Sequence, residues 1–79
     1  HEEVWSYVRT LGDERLLVTL NFAEFESHTW IPEYEVEFNP HEMEAELLLC
    51  NYGADERATD VDAAAFDLRP WEARIYRLR

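Results

Sequence analysis

Residues 66–78 restrict the possible folds of this chain more than any other segment. Pro70 lies in the middle of the segment, and proline has no N–H group and a fixed φ, so it cannot occupy the interior of a central strand. The segment therefore predicts two short strands that meet at a bend. In the second strand we expect one parity to face the core, and that parity holds Trp71, Ala73 and Ile75.

The beginning of the chain predicts a β-hairpin. Residues 4–10 and 16–22 are rich in β-branched and aromatic side chains, and the polar connection 11–15 between them contains Gly12. Two such runs separated by a short glycine-containing turn are typical of antiparallel strands. Four apolar residues of the second run share one face: Leu16, Val18, Leu20 and Phe22.

The middle of the chain predicts three more elements. Residues 28–31 indicate a short strand that ends at Pro32, and residues 33–38 alternate between apolar residues and glutamates, as a half-buried strand does. Residues 45–52 are apolar on both parities, which predicts a central strand with Leu48 and Leu49 both buried. Residues 53–65 are interpreted as a loop that has room for a single helical turn.

Together these segments predict an all-β fold of six to eight short strands, arranged as an antiparallel Greek-key sandwich or a partly open barrel. The 79 residues form a single β-domain, 1–79. A chain of this size buries only about 60–65% of its unfolded surface. Its one cysteine, Cys50, allows no internal disulfide. Because so small a core without a disulfide is marginal alone, we expect the domain to dock on something larger, and since the chain begins with His1 instead of methionine, we expect it to be a piece of a longer protein.

The charge of the chain limits its partners. The net charge is −11, and all seven basic residues are arginines. Nucleic acids and anionic membranes require a basic surface, so neither is expected as a partner. Two explanations of the acidity stay open: an ordinary acidic composition, or adaptation to high salt, in which charges are screened over about 3 Å at molar ionic strength.

Two groups of acidic residues are candidates for a catalytic pair and for a metal site. Glu33, Glu35 and Glu37 share one strand face at a spacing compatible with the roughly 5–10 Å separation of a glycosidase pair, but such alternation is more typical of a solvated face. The run 60–62 resembles part of a calcium loop, although the glycine and the terminal glutamate of that loop are absent.

The histidines and the cysteine give no stronger signal. His1, His28 and His41 lack the spacing of zinc ligands. Cys50 is expected to be an inert thiol in a buried strand. The sequence therefore predicts no catalytic, cofactor-binding or metal-binding residue and no cofactor.

The three tryptophans, Trp5, Trp30 and Trp71, allow two interpretations. Exposed indole rings stack on sugars in carbohydrate-binding modules. Alternatively, the rings fill the core or the seam against a partner domain, and this is favoured because each lies within a strand pattern.

Three motifs occur in order along the chain: the residues 12–22 that contain LLVTLNF, the ELLLCNY of residues 46–52, and the LRPWEARIY of residues 68–76. Together they resemble the C-terminal β-domain of α-glucosidases in the α-amylase superfamily, and the oligo-1,6-glucosidase, sucrose isomerase and trehalose synthase branch is the most similar. In that branch tyrosine is usual at Trp71 and serine is common at Cys50, and residues 23–44 match poorly.

The resemblance implies a parent enzyme that hydrolyses or transfers α-glucosyl units with retention. Its catalytic carboxylates lie on a (β/α)8 barrel that this chain does not contain. It also implies that the chain is a non-catalytic accessory domain that packs against the barrel, and we expect a cytoplasmic location. The alternative is an independent carbohydrate-binding or protein-interaction module.

Overall fold

The computed structural model describes residues 4–31 and 36–79, and these form two antiparallel β-sheets. The larger sheet has the strand order β1-β2-β6-β4, and the smaller sheet pairs β3 with β5. After the first hairpin the chain alternates between the two sheets, which confirms the predicted all-β sandwich. The described strands are β1 (Val4–Leu11), β2 (Glu14–Asn21), β3 (Ser27–Trp30), β4 (Ala45–Cys50), β5 (Ala65–Leu68) and β6 (Ala73–Leu78); a 3-10 turn (Pro40–Glu42) and the short helix α1 (Glu56–Thr59) complete them.

The predicted hairpin is confirmed. β1 and β2 pair without interruption from Val4 opposite Asn21 to Leu11 opposite Glu14. Gly12 begins the two-residue connection with a φ of +61°, a conformation that glycine adopts without steric cost.

The core lies between the two sheets. Leu17, Tyr76 and Leu78 of the larger sheet pack against Phe66 and Leu68 of the smaller one. The rings of Phe66 and Tyr76 meet edge to face, with their centroids 5.6 Å apart.

Polar contacts also join the two sheets. The Ser6 hydroxyl lies 2.7 Å from that of Thr19 and 2.9 Å from that of Thr29, and both threonines are buried. This chain of hydroxyls connects β1, β2 and β3, so the sandwich is held by hydrogen bonds as well as by apolar packing.

The bend at Pro70 is confirmed, but the predicted facing of the strand after it is wrong. Pro70 lies in the turn between β5 and β6, which belong to different sheets. Trp71 is 59% exposed, and Ala73 and Ile75 are only partly buried. The opposite parity is buried because its charged members neutralise one another inside the sandwich; it consists of Glu72, Arg74, Tyr76 and Leu78.

The prediction of a central strand at residues 45–52 is also wrong. β4 lies at the edge of the larger sheet, and β2 and β6 are its central strands. Leu48 is 42% and Leu49 54% exposed. A shift in register between Leu47 and Leu49 turns Leu48 out of the regular alternation.

In β2, too, the more apolar parity points away from the core. Leu17, Thr19 and Asn21 are buried between the sheets, whereas Leu16 and Val18 are partly buried on the other side. The apolar face seen in the sequence therefore points away from the smaller sheet.

The middle of the chain agrees in part with the prediction. β3 confirms the strand expected at 28–31. Of the strand expected at 33–38, residues Glu33, Tyr34 and Glu35 lie outside the described residues, and the prediction is wrong for residues 36–38, which form bends. Within the loop 53–65 the single helical turn does form, and Asp55 caps it by accepting a hydrogen bond from the Ala58 N–H at 3.2 Å.

Candidate docking face

The larger sheet has one face that the described chain leaves uncovered. Successive residues of a strand point to opposite sides of a sheet, so the residues that alternate with the buried ones point outward. Cross-strand register places them side by side: Trp5 opposite Leu20, Tyr7 opposite Val18, and Val18 opposite Ile75. We call this surface the outer face, and its residues are Trp5, Tyr7, Leu16, Val18, Leu20, Leu49, Ala73 and Ile75.

Aromatic side chains are concentrated at one end of the outer face. The rings of Trp5 and Tyr7 are 5.6 Å apart, and they are 59% and 43% exposed. At the same end, Phe22 directly follows β2 and Trp71 lies in the turn that precedes β6, where its N–H donates to the Ala23 carbonyl; both side chains are more than half exposed. A contiguous exposed apolar surface of this kind is typical of a protein interaction site.

The opposite end of the outer face carries ion pairs. Arg77 donates hydrogen bonds to Glu14 at 3.0 Å and to Glu46 at 3.4 Å. Arg79 reaches Glu46 at 2.8 Å. A polar border beside an apolar centre is the usual organisation of a protein–protein interface.

A buried ion pair lies behind the aromatic end, on the inner side of β6. Arg74 Nε donates to Glu72 Oε2 at 2.8 Å and Arg74 Nη2 donates to Glu72 Oε1 at 2.9 Å, and neither side chain is exposed. The remaining Arg74 hydrogens are donated to the carbonyls of Arg57 and Asp67 and to the Tyr76 hydroxyl at 3.0–3.2 Å. The buried guanidinium is thereby fully hydrogen-bonded, as burial of a charge requires.

A second arginine joins this pair to helix α1. Arg69 Nη2 donates to Glu72 Oε2 at 2.7 Å, and its Nη1 donates to Asp55 Oδ2 at 2.5 Å. The Arg69 guanidinium also lies 4.3 Å from the centre of the Tyr52 ring. Since Asp55 is the N-cap of α1, the turn before β6, the helix and the end of β4 are held in one network.

The electrostatics of the network keep Glu72 ionised. Burial opposes its ionisation, but hydrogen bonds from Arg69 and Arg74 outweigh burial and hold the pKa of Glu72 well below its ordinary value. The Glu72 and Asp55 carboxylates in turn raise the pKa of Arg69. A general acid in a glycosidase needs a raised pKa and a free proton. Glu72, the buried carboxylate of the described residues, therefore has the wrong charge state for that role.

Two other groups contact the network. Burial raises the pKa of Tyr76, whose hydroxyl donates to the Ala58 carbonyl. Burial also raises the pKa of the Cys50 thiol, which donates to Glu72 Oε2 at 3.2 Å. Cys50 is only partly buried on an edge strand, so the expectation of a core position was wrong, although a raised pKa agrees with low thiol reactivity.

The structure does not bring the sequence-predicted site residues together. His28 pairs with Asp67 at 2.8 Å on the exposed side of the smaller sheet, and His41 pairs with Asp62 at 3.2 Å. Within residues 4–31 and 36–79, no group of three or more histidine, cysteine or carboxylate side chains could hold a metal ion. Of the three glutamates considered as a catalytic pair, Glu37 is exposed. Among the described residues, no helix is long and apolar enough to cross a membrane.

The tryptophans contradict part of the sequence interpretation. Trp5, Trp30 and Trp71 are 55–59% exposed, so they do not fill the core of this domain. Trp5 belongs to the outer side of the larger sheet and Trp71 to the turn before β6, whereas Trp30 alternates with the buried Thr29 and points to the outer side of the smaller sheet. They therefore do not form one common platform for a sugar.

Sequence reasoning missed Arg69, Glu72 and Arg74 as a unit. The sequence did contain a signal for this unit. Opposite charges lie close together around Pro70, and Glu72 and Arg74 have the same strand parity as the apolar residues at the end of β6. A charged residue on the parity of Tyr76 and Leu78 must be either exposed or paired, and only a structure shows which.

Comparisons with known proteins give a consistent result. No family model matches the chain. It is 37% identical over 76 residues to an oligo-1,6-glucosidase from Parageobacillus thermoglucosidasius and 34% identical over 76 residues to one from Bacillus cereus; each match covers 96% of this chain and 12% of the relative. The chain thus spans about an eighth of the length of these curated relatives.

Solved structures agree with this match. The fold is similar to part of an isomaltulose synthase from Klebsiella sp. LX3, with a TM-score of 0.69 and 28% identity over 100% of this chain and 12% of that one. It is also similar to part of a trehalose-6-phosphate hydrolase from Bacillus licheniformis, with a TM-score of 0.74 and 26% identity over 99% of this chain and 13% of that one.

Proposed function

This chain is a C-terminal β-domain of the oligo-1,6-glucosidase type within the α-amylase superfamily, and we propose that its outer face docks on the catalytic (β/α)8 barrel of the same protein. The domain itself is non-catalytic, and its role is to cover and stabilise the barrel. The observation that carries the proposal is the uncovered apolar outer face in a chain that corresponds to only 12% of its relatives.

The activity of the whole protein is part of the same proposal. Its relatives are oligo-1,6-glucosidases, so we assign the parent to glycoside hydrolases that act on α-glucosidic linkages. We also place it in the cytoplasm and treat residues 1–79 as one domain of it. Neither a catalytic residue nor a cofactor is assigned to this chain.

The chemistry of the outer face favours a protein partner over a sugar. A sugar site combines aromatic rings with polar groups that bond hydroxyls, whereas the centre of this face consists of aliphatic side chains such as Val18 and Ile75. Its polar end is already occupied by ion pairs between its own residues. A carbohydrate-binding module remains the second candidate, because Trp5 and Trp71 are exposed.

The proposal is tested in the full-length protein with two matched variants. Leu49→Asp places a charge on the outer face at a residue that is 54% exposed here, and Trp30→Asp does so at a residue that is 55% exposed on the smaller sheet. We expect Leu49→Asp to lower the melting temperature of the full-length protein and to speed proteolytic release of the domain, because an unpaired charge would be buried in the interface. Trp30→Asp should do neither.

Equal effects of the two variants would contradict docking through the outer face. Affinity electrophoresis in gels that contain dextran or maltodextrin tests the second candidate. Retardation of the domain that Trp5→Ala or Trp71→Ala abolishes would favour a carbohydrate-binding module instead.

A further inference from the structure

The turn at residues 69–72 holds Trp71 in an unfavourable backbone conformation. Its φ is +57°, in the left-handed region, and within the described residues it is the non-glycine residue that has a positive φ. Steric contact between the side chain and the backbone disfavours this region for a bulky residue, whereas glycine adopts it freely. Such strain persists only where the surrounding structure determines the conformation, and it is concentrated at functional sites.

Hydrogen bonds on both sides of the turn determine that conformation. The Trp71 N–H donates to the Ala23 carbonyl at 3.1 Å, and the Trp71 carbonyl accepts from Asn51 Nδ2 at 2.8 Å. The Tyr52 hydroxyl donates to the Pro70 carbonyl at 2.5 Å.

The remaining backbone groups of the turn are bonded as well. The Arg69 N–H donates to Glu72 Oε1 at 2.7 Å, and the Glu72 N–H donates to the Arg69 carbonyl at 3.1 Å. The Glu72 carbonyl accepts from the Asn21 N–H at 2.9 Å. Because every polar backbone group of residues 69–72 has a partner, the backbone at Trp71 is held in one conformation.

The Trp71 side chain gains little from its own domain. The residue is 59% exposed, so its indole ring leaves most of its surface in water. Glycine would relieve the backbone strain, and asparagine tolerates the same region. A large aromatic side chain at a strained and exposed position is therefore explained by a contact outside this domain.

We propose that Trp71, in the turn at the aromatic end of the outer face, is the anchor of docking, with its indole ring inserted into an apolar pocket on the catalytic domain of the same protein. This inference rests on the proposed function and names the residue that dominates the interface. Buried tryptophans are enriched among the residues that dominate protein interfaces, and a turn whose backbone is already fixed loses little conformational entropy on binding. Phe22 and Trp5, at the same end of the face, exclude water around the anchor.

Oxidative footprinting of the full-length protein provides the first test. Hydroxyl radicals oxidise accessible indole rings, and mass spectrometry reports the rate at each tryptophan. We expect Trp71 and Trp5 to be protected about tenfold or more relative to Trp30, which has a similar exposure in this domain but lies on the smaller sheet. The protection should not change when the protein is diluted, because the catalytic domain belongs to the same protein molecule.

Each alternative outcome has a distinct meaning. If Trp71 is as reactive as Trp30 while Trp5 is protected, Trp71 is not the anchor, but docking through the outer face is still supported. If Trp5 and Trp71 both react like Trp30, docking through the outer face is wrong as well. Protection that disappears on dilution would overturn the proposal in favour of a second copy of the protein.

A variant series provides the second test. Trp71→Asn removes the indole ring and keeps a residue that tolerates the left-handed conformation, and we expect it to speed proteolytic release of the domain about tenfold or more. Trp71→Tyr, which retains an aromatic ring, should stay within about threefold of the parent protein. Trp30→Asn is the matched control and should have no effect. Equal release rates for Trp71→Asn and Trp30→Asn would overturn the proposal.

Discussion

Arg74 donates two hydrogen bonds of 2.8 and 2.9 Å to the Glu72 carboxylate, and both side chains are completely buried. Removing two charges from water costs several kcal/mol per ion, so a buried pair is tolerated only when its remaining donors and acceptors are also satisfied. Arg69 and the Cys50 thiol complete the bonding of Glu72, and backbone carbonyls complete that of Arg74. The pair therefore fixes the orientation of β6 and of the turn before it.

The buried pair predicts a large effect of Glu72→Ala. The substitution leaves the buried Arg74 without a counter-charge, and we expect a loss of about 3–5 kcal/mol in the free energy of unfolding. A domain of this size has a total stability of only about 4–12 kcal/mol. Urea unfolding of the isolated chain measures the loss. Glu46→Ala, which removes an exposed partner of Arg77, should shift the midpoint far less because solvent screens that pair. Similar midpoints for the two variants would show that Glu72 is not buried.

The lowered pKa of Glu72 predicts a loss of stability in acid. Its folded pKa is lower than its unfolded value of about 4.5, so the unfolded chain binds more protons. The contribution is therefore complete above about pH 4.5 and decreases as the pH falls from there towards the folded pKa, with a limiting slope of about 1.4 kcal/mol per pH unit. Urea midpoints at pH 7, 5 and 3 should fall less steeply for Glu72→Gln than for the parent chain. Parallel curves would contradict the assignment.

The composition predicts stabilisation by salt. With a net charge of −11, repulsion among carboxylates destabilises the folded chain at low ionic strength. The melting temperature should rise when sodium chloride is increased from about 0.05 M to above 1 M, where the screening length is about 3 Å. Differential scanning calorimetry gives the curve. A flat or falling melting temperature would count against adaptation to high salt.

The exposed position of Trp71 in the turn before β6 lowers the expected cost of removing its side chain. A buried tryptophan would cost about 3–5 kcal/mol on truncation. At 59% exposure, Trp71→Ala should cost the isolated chain about 1 kcal/mol or less. Leu68→Ala, at a residue that is 0% exposed in the core, should cost about 2–5 kcal/mol. Thermal or urea unfolding compares the two variants, and a larger loss for Trp71→Ala would contradict the exposed position of Trp71.

The isolated chain is expected to have no hydrolase activity. Its buried carboxylate, Glu72, is ionised and has both oxygens occupied by arginine hydrogens, so it cannot protonate a leaving group. Incubation of the purified chain with maltose, isomaltose or a chromogenic α-glucoside should release no glucose. Glu72→Gln serves as the control, because contaminating activity would persist in it. Turnover by the parent chain that Glu72→Gln abolishes would contradict the prediction.

The sequence by itself determined the local structure and the relatives of this protein. Alternating apolar residues and Gly12 are sufficient for the β1–β2 hairpin, because both are local properties of the chain. Pro70 was sufficient for the bend before β6, since a missing N–H excludes proline from a central strand. The three ordered motifs identified the same group of enzymes that the comparisons found.

The tertiary structure alone decided which side of each strand is the core. Alternation shows that two faces differ, but it does not show which one is covered. Glu72 and Arg74 look like solvent-facing residues in the sequence and become a core pair only when the sheets bring Arg69 and the carbonyls around them. Leu48 and Leu49 look buried in the sequence but are exposed, because strand order, which only the tertiary structure fixes, places β4 at an edge of the larger sheet.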